Sequence, residues 1–126
     1  MKGKKIVVTG GLGYIGSHVV VELQAQQCEV VIVDNLSNST IDVLERITEI
    51  SGTTPFFEKI DVREQASVED FFSRHSDVDG VIHFAASKAV GESVNDPLKY
   101  YQNNVNSLVY LLQELNKLES SALIFS

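Results

Sequence analysis

Cysteine is almost absent from this chain. Cys28 stands alone, and one thiol closes no internal disulfide, so a reducing compartment suits it and the cytoplasm is the expected location. Basic residues are in the minority, with 10 Lys and Arg against 17 Asp and Glu and a net charge of −7. That balance argues against a nucleic-acid partner and against an anionic membrane surface, both of which call for a basic face. An anionic ligand must then be held by local backbone donors and a few lysines, not by the overall field. No apolar run approaches the length of a membrane span. Met1-Lys2-Gly3-Lys4-Lys5 leads straight into a short strand, so no signal peptide is expected. No cysteine, histidine or carboxylate accompanies His83 at metal-ligand spacing, and no metal site is predicted. Internal repeats, low-complexity tracts and linkers are missing too. What remains at 126 residues is the expectation of one domain, residues 1–126, with a sizeable core.

The stretch Val7-Val8-Thr9-Gly10-Gly11-Leu12-Gly13-Tyr14-Ile15-Gly16 organises that domain. It reads as an apolar strand, a glycine-rich turn and the start of a helix. Gly10 permits a sharp turn where a Cβ is penalised. Gly13 lets the backbone approach a pyrophosphate, and Gly16 lets the helix lie close on the sheet. Phosphates would then meet the free N–H groups and positive dipole end of a helix N-terminus. Spaced glycines alone are weak evidence, since turns and caps also collect them. Here the strand, the helix and a distant acidic residue all match, which favours nucleotide binding over a purely structural turn.

That acidic residue is Asp34, at the end of the apolar run Glu29-Val30-Val31-Ile32-Val33 and about 20 residues past the turn. A carboxylate there accepts hydrogen bonds from an adenosine ribose; the alternative role is a turn or capping residue. No arginine follows within several residues to hold a 2′-phosphate, which favours NAD over NADP. Between the two strands, Tyr14 to about Gln27 reads as a helix with Ile15, Val19 and Leu23 on one stripe and Val20 beside it. After the polar loop Asn35–Ser39, Ser39 is expected to cap a second helix together with Asp42. That helix carries Ile41, Leu44, Ile47 and Ile50 and ends at Gly52. A third strand over residues 54–60 delivers Asp61 and Val62 to the same edge as Asp34. A helix from about Arg63 to His75 turns Val68, Phe71 and Phe72 inward.

A fourth strand, Val81-Ile82-His83-Phe84-Ala85-Ala86, holds a histidine that reads best as a neutral, hydrogen-bonded core residue. Ala85 and Ala86 are small enough for a strand end that passes close to a cofactor. Lys88, on residue type alone, suits a phosphate and open solvent equally. Asp96-Pro97 opens the longest helix, an aspartate at the cap and a proline in the first turn. Leu98, Tyr101, Val105, Leu108 and Leu112 form its stripe, widened by Val109, Leu111 and Leu115, an excess that suits a partner subunit. Ala122-Leu123-Ile124-Phe125 is a fifth strand. Strands and helices alternating in this rhythm predict an α/β fold, a doubly wound parallel sheet in the order 3-2-1-4-5 with helices on both faces.

Thr9-Gly-Gly-Leu-Gly-Tyr-Ile-Gly-Ser-His18 resembles the cofactor fingerprint of the extended short-chain dehydrogenase/reductases, a Rossmann-like family. Val33–Ser39, His83–Ser93, Asp96-Pro-Leu98 and Tyr100–Val105 are similar to segments of its UDP-glucose 4-epimerases, so the likeness spans the chain. The resemblance implies a bound NAD. Tyr14 and Ile15 would touch the pyrophosphate beside Gly10, Gly13 and Gly16, and Asp34 the ribose. Asn35, Leu36, Ser37, Asn38 and Ser39 would line the adenosine half, and Asp61 and Val62 the adenine. Phe84, Ala85, Ala86, Ser87 and Lys88 would pass under the pyrophosphate and nicotinamide ribose, with Asn103 bonded toward that loop. It also implies a UDP-sugar substrate and a homodimer through the helix of residues 97–117.

The family's chemistry uses a tyrosine-lysine pair four residues apart, which takes the sugar 4-OH proton while hydride passes to NAD. The four tyrosines here are followed at that distance by His18, Asn104, Val105 and Glu114. No catalytic residue is therefore assigned, and the chain reads as an N-terminal, NAD-binding portion, truncated after the fifth strand, without the UDP-sugar domain. Other readings are a related dehydratase or decarboxylase, or a non-catalytic NAD-binding fragment.

Overall fold

The computed structural model describes residues 2–36, 39–84, 97–118 and 122–125, with residues 100, 101, 103 and 122–125 described by backbone alone. The elements run β1 (Lys5–Thr9), α1 (Tyr14–Ala25), β2 (Glu29–Asp34), α2 (Asp42–Ser51), β3 (Phe56–Lys59), α3 (Gln65–Arg74), β4 (Gly80–His83), α4 (Pro97–Leu115) and β5 (Ala122–Phe125). The strands form one sheet in the order β3-β2-β1-β4-β5, and every pairing is parallel. This is the predicted doubly wound arrangement. The order reverses between β1 and β4, which opens a crevice at the carboxyl ends of those strands.

Alternation along the strands feeds two cores. Ile6, Val8, Val30 and Ile32 pack with Leu12, Val20, Leu23 and Ile47 on the face covered by α1 and α2. Val7, Val31, Val33 and Val81 pack with Val68, Phe71, Phe72, Leu111 and Leu115 on the face covered by α3 and α4. A strand buried on both sides reads as a continuous apolar run, as β2 does. Truncating a side chain as enclosed as Ile32 or Phe71 to alanine costs about 2–5 kcal/mol.

Three expectations about faces and caps are corrected. In α1 the inward residues are Gly16, Val20 and Leu23, while Ile15 is 60% exposed. Gly16 must sit against the turn, which rotates the helix one position from the stripe counted on apolar residues. Among the described residues of α4, Ser107, Leu111, Glu114 and Leu115 are buried, and Leu98, Val105, Val109 and Leu112 are exposed. Burial of Glu114 is offset by an ion pair with Lys117 at 2.8 Å. Finally, Ser39 does not cap α2, which has no side-chain cap. Its hydroxyl donates to Asp34 instead, at 3.1 Å. Gly52 does end α2, at φ +79°, and β3 is shorter than expected and exposed at its two ends.

Charge gathers where α3 ends. Lys5, nearly buried, pairs with Asp77 at 2.8 Å, and its Nζ lies 3.1 Å from Nδ1 of His75. Glu58 receives Arg74 at 2.7 Å and lies 2.6 Å from Nε2 of His75.

Candidate functional site

β1 delivers the glycine turn to the carboxyl edge of the sheet. Gly10 takes φ +69°, a left-handed conformation that suits glycine, and its N–H donates to the Val33 carbonyl at 2.7 Å. A Cβ on Gly16 would collide with the Gly10 carbonyl oxygen, so that glycine serves the turn more than the helix-sheet distance. The close approach to the sheet falls on Gly11, where a Cβ would stand 2.8 Å from the Ile32 side chain. The regular three-residue spacing of Gly10, Gly13 and Gly16 carries no signal for Gly11. Gly13, the N-cap of α1, has an ordinary φ of −73°. A Cβ there meets only the Gly10 oxygen, at 3.2 Å. Beside it Tyr14 is 83% exposed, its ring edge-on to His18. The N–H groups of the first turn of α1 have no intrahelical partners, and the dipole there favours an anion.

β2 delivers Asp34, which is 7% exposed. Its Oδ2 accepts from the Leu12 N–H at 3.2 Å, and its Oδ1 from the Leu36 N–H at 2.8 Å and from Ser39. The carboxylate thus holds the glycine turn and its own loop together. Leu36 adopts φ +62° to reach it, a conformation that costs a branched-chain residue about 1–2 kcal/mol. β3 reaches the same edge, the Ile60 N–H donating to the Asp34 carbonyl at 3.2 Å. Asp61, next in the chain, is gripped by Arg63, whose Nη2 lies 2.7 Å from Oδ2 and whose backbone N–H donates to Oδ1 at 2.9 Å. The guanidinium holds the Asp61 carboxyl below the usual carboxylate range, outweighing burial, and the Asn35 side chain adds a hydrogen bond. Val62 turns its side chain into the α3 core.

β4 brings Phe84, whose N–H donates to both the carbonyl and the hydroxyl of Thr9, each at 3.0 Å. His83 is fully buried, as a core histidine should be, with Nδ1 2.6 Å from the Thr9 hydroxyl. The structure therefore gathers Gly10, Gly13, Gly16, Tyr14, Ile15, Asp34, Asn35, Leu36, Ser39, Asp61 and Phe84 along one edge. Ser37, Asn38, Ala85, Ala86, Ser87 and Lys88 lie outside the described residues, and Asn103 is placed on α4 by its backbone. A groove of about 470 Å³ opens between α1 and α2, lined by Tyr14, His18, Val43 and Arg46 among others. Leu12, Gly13 and Ser39 also line it, so it abuts the glycine turn and the loop after β2, while Asp34, Asp61 and Phe84 lie outside its lining. Among the described residues no group of three His, Cys, Asp or Glu is placed to hold a metal ion, and no helix is long and apolar enough to cross a membrane.

The chain is similar over most of its length to several UDP-glucose 4-epimerases. The UDP-glucose 4-epimerase of Neisseria meningitidis serogroup B is 46% identical over 123 residues, 98% of this chain and 36% of that protein. The crystal structure of UDP-glucose 4-epimerase from Bifidobacterium longum in complex with NAD+ and UDP superposes with a TM-score of 0.89 at 41% identity, covering 98% of this chain and 36% of that one. That of the Stenotrophomonas maltophila enzyme, with bound NAD and formylated UDP-arabinopyranose, gives 0.87 at 44% identity, covering 97% and 36%. This chain thus spans 36% of the length of each. Residues 6–126 match the family described as NAD dependent epimerase/dehydratase, and the chain belongs to that family.

Proposed function

We propose that residues 1–126 are the NAD-binding part of a UDP-glucose 4-epimerase, which interconverts UDP-glucose and UDP-galactose through a 4-keto sugar. The carrying observation is the pairing of Asp34 with the Leu12 amide, which sets a ribose-binding carboxylate beside a helix N-terminus that is open to a pyrophosphate. The residues fit the cofactor. The Cβ direction of Gly13 meets only one backbone atom, and a larger side chain would fill the space the phosphates need. Bound NAD supplies a hydride acceptor for the sugar C4. In this reading the first turn of α1 binds the pyrophosphate, flanked by Tyr14 and Ile15. Asp34 orients the adenosine ribose, residues 35–39 line it, and Asp61 and the backbone of Val62 border the adenine. The segment 84–88 and Asn103 lie toward the nicotinamide half. The base that takes the sugar 4-OH proton, and the pocket for the UDP-sugar, are supplied by further chain. The protein works in the cytoplasm as a homodimer that meets through α4.

Titration calorimetry of this chain with NAD tests the reading. Saturable one-to-one binding is expected, and heat of dilution alone would overturn it.

A further inference from the structure

Thr9 and His83 are register partners at the ends of β1 and β4, and both are fully buried. They are the last strand residues on either side of the point where the sheet order reverses. From Thr9 the chain enters the glycine turn, and from His83 it enters the segment that begins at Phe84. The Thr9 hydroxyl lies 2.6 Å from His83 Nδ1 and accepts from the Phe84 N–H at 3.0 Å. The Thr9 carbonyl accepts from the same N–H. One hydroxyl thus joins the imidazole and the first backbone amide of the exit. The residues just before Thr9 and His83, namely Ile6, Val7 and Val8 in β1 and Val81 and Ile82 in β4, are apolar and need no partner. A polar pair here demands satisfied hydrogen bonds that an apolar pair of similar shape would not. Stability alone gives little reason to keep it.

We infer that Thr9 and His83 form a positioning pair that sets Phe84, at the exit of β4, at the height the dinucleotide needs beside the glycine turn. This rests on the reading of the strand-end crevice as an NAD site. Neither residue touches the cofactor in this scheme. Each acts through the Phe84 amide, which their shared hydroxyl anchors.

The test compares Thr9→Val, Thr9→Ser, His83→Leu and the double variant Thr9→Val/His83→Leu. Removing both members of the pair together leaves neither facing an unpaired counterpart within it, so the double variant should melt within a few degrees of the unsubstituted chain. It should nevertheless bind NAD at least tenfold more weakly, with Phe84 amide exchange accelerated at least tenfold relative to Val81 and Ile82. Thr9→Ser, which keeps the hydroxyl, should restore most of both. Normal NAD affinity and normal Phe84 exchange in the double variant would overturn the proposal alone, leaving the NAD site intact. An affinity loss that only tracks the unfolded fraction would also overturn it, by reducing the pair to a structural role. Should the double variant not fold, the Thr9→Val and Thr9→Ser pair decides by the same two readouts. Failure of the unsubstituted chain to take up NAD would remove the reading beneath, and this proposal with it.

Discussion

The Leu12 amide donates to Asp34 Oδ2 across 3.2 Å, joining the glycine turn to the end of β2. Turn shape and carboxylate position are therefore set together. A 2′-phosphate on the ribose would stand against this carboxylate. Unit charges at about 4 Å in a surface-like dielectric of about 20 repel by roughly 4 kcal/mol before screening. NADP should bind at least tenfold more weakly than NAD, and equal affinities in a titration would remove Asp34 from the site. Asp34→Asn, which places amide donors near the Leu12 and Leu36 N–H groups, should relax the preference and cost about 1–3 kcal/mol of stability.

Gly13 and Gly16 should respond in opposite ways to an added side chain. Gly13 has an ordinary φ and one near neighbour, so Gly13→Val should keep the fold and lose NAD binding. Gly16→Ala should fold poorly, because its Cβ runs into the Gly10 carbonyl. Circular dichroism melts beside binding titrations separate the two. A Gly13→Val chain that binds NAD normally would make the turn merely structural.

The alternation of apolar strands and helices was enough to read the sheet order, and the edge that Asp34 and Asp61 share followed from it. Which face each helix turns inward did not follow. Counting apolar residues overlooks Gly16 and Ser107, whose small size lets a helix approach its neighbour, and both lie on the buried face. Ser39 resembled a cap by spacing, but α2 begins three residues later, at Asp42, and an ionised carboxylate lies within reach. Gly11 carried no signal beyond its adjacency to Gly10. The Arg63–Asp61 grip, by contrast, sits two residues apart in the chain and was open to recognition as a strand-end clamp.

Acid should loosen the contacts between β3 and the end of α3, and the exit of β3. Arg74, and more weakly His75, hold the Glu58 carboxyl below its ordinary value of 4.5, and Arg63 holds Asp61 below 3.8. Each folded-state value lies below the unfolded one. Their stabilisation is therefore fully present above those ordinary values and is lost as pH falls through the folded ones. Melting temperature should fall below about pH 4.5, and Glu58→Gln should flatten that fall. A Glu58→Gln chain with an unchanged pH profile would show that the Arg74 pair contributes nothing.

Turnover of UDP-galactose by this chain alone should be undetectable, with or without added NAD. None of its four tyrosines has a lysine four residues on, so none carries the partner that makes a tyrosinate base for the 4-OH proton. A coupled assay for UDP-glucose checks this. Measured turnover by purified chain would require another base among these residues.

The outer face of α4 should make the chain associate. Leu98, Val105, Val109 and Leu112 recur at helical spacing on one side, and Leu98 is 81% exposed and Val105 55%. A contiguous apolar stripe of this kind marks a surface that another chain covers. The net charge of −7 opposes association, but repulsion between charges spread over a surface is screened within about 10 Å at 0.1 M salt. Apolar contact should therefore win at micromolar concentration, giving a dimer in sedimentation velocity. Val105→Glu/Leu112→Glu should restore the monomer while shifting stability by no more than about 0.5 kcal/mol, since neither side chain enters the core. A monomer at all accessible concentrations, with the unsubstituted stripe in place, would mean that α4 is not the surface through which this chain pairs.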